Sequence, residues 1–231
     1  LTVYLSKWLK SLKKKKYSYR IIFVPETIGS IAYLSKNLYY MKKNIIAGFN
    51  IVCVGDSRAY SYIPSRAGNT ISDKSSLKIL KKKKLKFKKY SWLDRGSDER
   101  QYCAPGVDLP ISSITRSKYN TYKEYHTSLD NLKFISIKGL QQSFNLYKDI
   151  ILEIEKNSYP KSKTVGEAFL SKRNLFPSIG KSKNTNNLYQ NISSYADGTN
   201  SIEDLSRLCK QSLKITNKAV QKLIKYNLLE F

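Results

Sequence analysis

Residues 20–55 read RIIFVPETIGSIAYLSKNLYYMKKNIIAGFNIVCVG, and their order of patterns decides the fold class. The run RIIFVP at 20–25 is short and almost unbroken in its apolar character, as expected of a strand buried on both faces. Residues 28–42 place Ile31, Leu34, Leu38 and Met41 at helical spacing. Residues 49–55 (FNIVCVG) return to a buried strand, which 59–63 extends or pairs with. Strand, helix and strand in this order predict a parallel connection in a helix-covered sheet.

Working outward, the alternation continues. Residues 1–12 carry Val3, Leu5, Leu9 and Leu12 and suit an amphipathic helix. A helix over 69–84 is marked by Ile71, Leu77, Ile79 and Leu80; LKFKKY at 85–90 alternates like a strand with one wet face. Residues 97–104 read as a short helix closed by Pro105 and Gly106, and LPISSIT at 109–115 as another strand. A long helix over 137–155 steps through Leu140, Phe144, Tyr147, Ile151 and Ile154, with Ser136 as its N-cap. The expectation is an α/β domain over 1–157, with a mainly parallel sheet covered by helices.

Residues 157–163 (NSYPKSK) read as a linker. Beyond them come short helices: 187–195, then one opened by Ser201 with Asp204 three residues on, a variant of the capping box. Thr216 is the expected cap of the last helix, whose stripe is Ala219, Val220, Leu223 and Ile224, and 226–231 ends extended. Three small helices and an extended tail predict a small winged-helix domain over 158–231.

Composition limits the function classes. Of 231 residues, 41% are hydrophobic and 12% aromatic, enough for a folded core and too many for a disordered chain. The longest apolar runs are too short to cross a bilayer, and no charged-then-apolar leader is visible. The first residue is Leu1 and not Met, so a native start is expected upstream. Cys53, Cys103 and Cys209 form no C-x-x-C pair, which argues against a zinc ribbon or a disulfide framework and for a reducing, cytoplasmic location. The net charge of +25 is concentrated in lysines at 13–16, 81–84, 86, 88 and 89. A basic patch attracts phosphates through counterion release. The abundance of Asn, Ile and Tyr, however, matches an A/T-rich codon bias that supplies lysine unaided, so the charge is read as mostly solvated surface.

Polar residues at strand ends carry the chemical reading, because ligands of open α/β sheets gather beyond the carboxyl ends of the strands. Glu26 follows the first strand, Asp56 the second; Asp98 and Glu99 open a helix, and His126 lies in the polar loop before the long helix. Carboxylates and an imidazole on one rim suit a divalent metal such as zinc. Zinc brings the pKa of bound water toward about 7, and a neighbouring carboxylate takes the proton and returns it to the leaving amine. Taken singly, a Glu after a strand is more often a cap and a loop His more often surface.

The wording of the motifs adds to this. Glu26-Thr27-Ile28-Gly29 resembles the Glu-Glu-x-Gly motif of the zinc aminopeptidase family that also contains the glutaminyl cyclases. Val54-Gly55-Asp56 is similar to its strand-ending metal-binding Asp, Gly96-Ser97-Asp98-Glu99 to its Gly-Ser-Asp-His segment, and His126-Thr127-Ser128-Leu129-Asp130 to its His-Thr-x-x-Asp segment. Nearer still is a bacterial aminopeptidase-like family associated with polysaccharide biosynthesis, which residues 24–30, 94–102 and 124–128 resemble. In it a winged-helix domain follows the peptidase-like domain. The resemblance implies Glu26 as general base and Asp56 and His126 as zinc ligands, with Asp98, Glu99 and Thr27 in support. Thr27 replaces a second Glu, which implies one zinc ion instead of two. The family's first metal-binding His and bridging Asp are expected upstream of Leu1, leaving this stretch an incomplete shell. The implied activity is zinc-dependent hydrolysis of peptide or amide bonds in small substrates. The rival is a non-catalytic regulatory or scaffolding protein, its winged helix (163–231) binding a protein partner or DNA. The sequence leaves the oligomeric state open.

Overall fold

The computed structural model describes residues 1–173, 175 and 187–231. Residues 174 and 176–186 of the expected winged-helix domain lie outside the described residues. The chain divides into two compact units, Leu1–Glu155 and Lys156–Phe231.

In the first unit, α1 (Thr2–Ser11) buries Leu5 and Leu9, and α2 (Ile28–Asn44) buries Leu34 and Met41. The strands β1 (Gly48–Asn50), β2 (Ser61–Ile63), β3 (Lys88–Lys89) and β4 (Ile111–Thr115) form one sheet in the order β1-β4-β2-β3. β1 pairs with β4 and β2 with β3 in parallel, whereas β2 and β4 run antiparallel. The unit is therefore a mixed α/β layer structure whose sheet is mostly parallel. Every residue of β4 is buried, as suits the strand between two neighbours. Helix α3 (Ile71–Lys82) starts at a capping box in which Thr70 and Asp73 satisfy each other's backbone N–H groups. A four-residue helix, α4 (Glu99–Tyr102), precedes β4.

Helix α5 (Ile137–Lys156) is fastened to the sheet by polar bonds as well as apolar packing. The Tyr147 hydroxyl donates to the Ile114 carbonyl at 2.6 Å, and Ser143 Oγ donates to the Val54 carbonyl at 2.8 Å. Ser136 caps the helix as expected, accepting from Gly139 N–H at 2.9 Å. At Gly139 the helix approaches the backbone of Gly55 and Asp56 so closely that a Cβ would overlap both carbonyl groups.

The structure departs from the sequence pattern at several places. Residues 20–25 join no ladder among the described residues, and Phe23 stays 68% exposed. An apolar run reports hydrophobicity, and a strand also needs a neighbouring edge. The strand expected over 49–55 ends at Asn50, because Cys53 adopts φ 48° and leaves the pleat; its carbonyl is taken by Arg116 N–H at 2.8 Å. The last helix, α8 (Leu213–Lys225), is capped by Ser212, while Thr216 sits buried in its first turn and donates back to the Ser212 carbonyl at 3.1 Å.

The second unit holds α6 (Leu188–Tyr195), α7 (Ile202–Leu208), α8 and an antiparallel pair, β5 (Lys161–Ser162) with β6 (Leu229–Glu230). Residues 161–162, expected in a linker, thus hold a strand. Ser201 and Asp204 form the capping box of α7. Leu170, Ile192, Leu205, Val220, Leu223 and Leu229 form the core. No helix among the described residues is long and apolar enough to cross a membrane.

Candidate functional site

The acids singled out by sequence reach very different environments. Asp56 is 2% exposed and surrounded by donors. Its Oδ1 accepts from Arg58 N–H at 2.9 Å and Ser117 Oγ at 2.9 Å, its Oδ2 from Ser117 N–H at 2.8 Å. Its carbonyl accepts from Arg116 Nε at 2.8 Å. Asp56 therefore ties the end of 51–55 to the segment after β4.

Glu99 is fully buried and equally occupied. Its Oε1 accepts from Gly96 N–H (2.8 Å), Ser97 N–H (3.0 Å) and the Tyr119 hydroxyl (2.6 Å), and its Oε2 from Asn50 Nδ2 (2.8 Å). Burial alone would raise its pKa, but these hydrogen bonds to the charged form outweigh it and hold the carboxyl below its ordinary value.

Glu26 is exposed, and the next residue, Thr27, has φ 63°. A β-branched residue at positive φ is strained, and such a conformation persists where its surroundings over-determine it. Here Asp98 Oδ1 accepts from Thr27 N–H at 2.7 Å and Arg100 donates to Thr27 Oγ1 at 3.2 Å. Asp98 is thus a clamp on the turn that presents Glu26.

His126 is exposed, at φ 56°, with its ring stacked on Tyr125 at 4.0 Å between centroids. Tyr125 meets Tyr122 edge-on, and Tyr122 stacks on Phe134 at 5.0 Å. Arg58 lies over the Phe134 ring at 4.6 Å and grips Glu124 with two hydrogen bonds, at 2.7 and 3.0 Å. This pairing holds the Glu124 carboxyl below its ordinary range.

A thiol that sequence reasoning passed over lies where several of these groups meet. Cys53 accepts from the Tyr122 hydroxyl at 3.5 Å. Burial pushes its pKa up; the Tyr122 bond opposes this, and the charges of Asp130, Asp56 and Glu26 reinforce it. The fields of Glu26 and Asp56 therefore converge on Cys53, and that of Glu26 also reaches Tyr125, the neighbour of His126. A hollow of 280 Å³ opens here, lined by Cys53, Asp56, Tyr122, Asp130 and Phe134 among others.

Zinc does not fit the groups as they stand. Among the described residues no cluster of three or more His, Cys, Asp and Glu side chains could hold a metal ion. Both Asp56 oxygens already serve protein donors. The scaffold residues Arg116, Ser117 and Tyr119 were also missed by sequence. They follow β4 directly, so the strand-end rule applied to that strand points to them.

Residues 1–157 match the family described as Domain of unknown function (DUF4910). The chain belongs to that family. A Clostridium acetobutylicum protein, named for polysaccharide biosynthesis and an aminopeptidase-like domain, is 39% identical over 181 residues. That match covers 78% of this chain and 41% of the relative. A crystal structure from the same organism, whose name assigns it as a peptidase, aligns at 33% identity and TM-score 0.66 over 98% of this chain and 51% of its own. This family member therefore spans about half the length of those relatives and shares their aminopeptidase-like α/β fold. A Bacillus subtilis zinc aminopeptidase is similar at 20% identity and TM-score 0.44 over 55% of this chain, too remote to bear on chemistry.

Proposed function

We propose that the whole protein hydrolyses peptide or amide bonds of small substrates, with Glu26 as its proton-transfer residue. The observation that carries this reading is the clamped turn at Thr27, where Asp98 and Arg100 hold a strained backbone beside an exposed carboxylate. Strain maintained by specific bonds is characteristic of functional sites. The names of the aminopeptidase-like relatives point the same way. Zinc belongs to this reading only as a cofactor of the whole protein. The described residues of this chain form no shell for it, so the chain alone is expected neither to bind zinc tightly nor to turn over.

The test is hydrolysis of aminoacyl p-nitroanilides by the longest natural chain carrying this sequence, in zinc-containing buffer. Glu26→Gln is expected to lower turnover by about 10²–10⁴-fold, the scale of general acid–base catalysis. Its thermal midpoint should not move, since the side chain is exposed. Absence of hydrolysis on any aminoacyl or amide substrate refutes the proposal.

The commitment of Asp56 to three protein donors favours a second reading, a non-catalytic scaffold that keeps the peptidase-like layer for its shape. The second unit would then serve as a partner-binding winged helix. The three helices and the β5–β6 pair support that reading, and α8 carries exposed Lys214, Lys218, Lys222 and Lys225. A salt-dependent mobility shift of duplex DNA supports a DNA partner; no shift at low salt leaves a protein partner.

A further inference from the structure

A second concavity, of 340 Å³, lies beside β2 and β3 and under the segment that follows β4. Its lining includes Arg58, Lys88, Lys118 and Lys123 with Tyr90 and Thr121, and no Asp or Glu. Lys118 is the decisive member. It is only 6% exposed, whereas Lys88 and Lys123 are open to solvent. Its Nζ donates to the Tyr119 carbonyl at 3.2 Å and rests over the Tyr119 and Tyr90 rings at 4.2 and 5.3 Å. Lys88 Nζ approaches the same Tyr90 ring at 4.7 Å. Two ammonium groups thus lie against one aromatic ring in the lining of this hollow.

Burying a charge is unfavourable unless an opposite charge and hydrogen bonds answer it. The acids nearby are largely committed elsewhere. Glu124, which feels Lys123, is held by both arms of Arg58. Asp94 feels Lys118 and Lys88, but it is exposed, so solvent screens its charge, and its Oδ2 accepts from Ser91 N–H at 2.8 Å and Ser91 Oγ at 2.9 Å. A carbonyl and two ring faces are weak compensation for a buried ammonium. Three lysine side chains around one concavity therefore offer a surplus of donors and positive charge.

We infer that this hollow binds the phosphate group of a small phosphorylated molecule, with Lys118 as its buried anchor and Lys88 and Lys123 closing on it from the rim. A doubly charged oxyanion matches several convergent point charges better than a single carboxylate does. A concavity of 340 Å³ suits a small ligand better than the convex backbone of a duplex. The site does not depend on the hydrolase reading: none of Lys88, Lys118 and Lys123 touches Glu26, Asp56 or His126 among the contacts described.

The experiment is a calorimetric titration of the full chain with inorganic phosphate, with acetate as the singly charged comparison. One saturable phosphate site is expected, with acetate at least tenfold weaker. Lys118→Met and Lys88→Ala should each weaken phosphate binding at least tenfold, while Lys36→Ala, an exposed lysine on α2, leaves it unchanged. If Lys118→Met does not fold, Lys88→Ala and Lys123→Ala, both at exposed positions, carry the test. No saturable binding, equal weakening by Lys36→Ala, or equal affinity for acetate overturns the assignment. So does displacement of phosphate from this site by duplex DNA, which would make the surface a nucleic-acid contact.

Discussion

Replacing Glu99 by Gln removes one charge and almost nothing else, so its effect can be worked from the hydrogen bonds. In the native protein Oε1 accepts from Gly96 N–H, Ser97 N–H and the Tyr119 hydroxyl. If the Gln carbonyl takes that place, three bonds fall from charge-assisted to neutral strength, a loss of about 1 kcal/mol each. The new NH₂ then faces Asn50, whose amide must turn over to offer its oxygen. A neutral side chain is easier to bury, which returns about 1 kcal/mol. The net expectation is a loss of about 2 kcal/mol, a large part of the roughly 5–15 kcal/mol typical of a domain. Both tryptophans, Trp8 and Trp92, lie in the unit that holds Glu99, so urea unfolding followed by their fluorescence reads the right transition. The pH dependence supplies a second arm. Because the folded carboxyl titrates below its ordinary value of 4.5, its contribution is fully present above that value and is lost as pH falls through the folded pKa. The difference between native and Glu99→Gln stability should therefore shrink toward acid. A variant as stable as the native chain at pH 7, or a difference that grows toward acid, refutes the reasoning.

Gly139→Ala should destabilise by more than about 2 kcal/mol despite the roughly 1 kcal/mol helix-propensity gain, because the added methyl overlaps the Gly55 and Asp56 carbonyls; thermal unfolding checks it. Asp56→Asn should lose about 1–3 kcal/mol, since an amide offers one acceptor oxygen to the three donors of Arg58 and Ser117, while the zinc content of the chain, read by atomic absorption, stays unchanged. Ser201→Ala removes one side of the α7 capping box and should cost about 1 kcal/mol in the second unit, detectable by far-UV circular dichroism during urea unfolding.

The helices were legible because their signals are local. Ser201 with Asp204 announces its cap within four residues, and the stripes of α2 and α5 need no knowledge of what they cover. The strands were less so. Phe23 and its neighbours have the composition of a buried strand but no ladder partner among the described residues, and Cys53 turns out of the sheet at a positive φ that no pattern of apolar residues encodes. Thr216 looked like a cap because it is a Thr near a helix start, but Ser212 stands one turn earlier and does the work. The site was legible as a set of acids near strand ends, not as a set of roles. Whether a carboxylate faces a cation, a hydroxyl or water depends on Ser117, Tyr119 and Asn50, which lie tens of residues away from the acids they satisfy.

That dependence bears on what the layer can do. A carboxylate that binds a metal must keep an oxygen lone pair pointed into open space, and the surroundings must tolerate its negative charge until the ion arrives. Asp56 meets the second condition, since two backbone N–H groups and a hydroxyl stabilise its charge with no ion present, and the same bonds join the strand end to the segment after β4. Oδ1 is filled by two donors, whereas Oδ2 accepts one and keeps a second lone pair, so an ion would have to approach through Oδ2 of a residue that is only 2% exposed. Glu26 has no such commitment among the bonds described, and its turn is clamped through Thr27 and not through its own carboxylate. Among the acids singled out by sequence, then, Asp56 and Glu99 hold the loops in place, and Glu26 is exposed to solvent, as the proposed proton-transfer role requires.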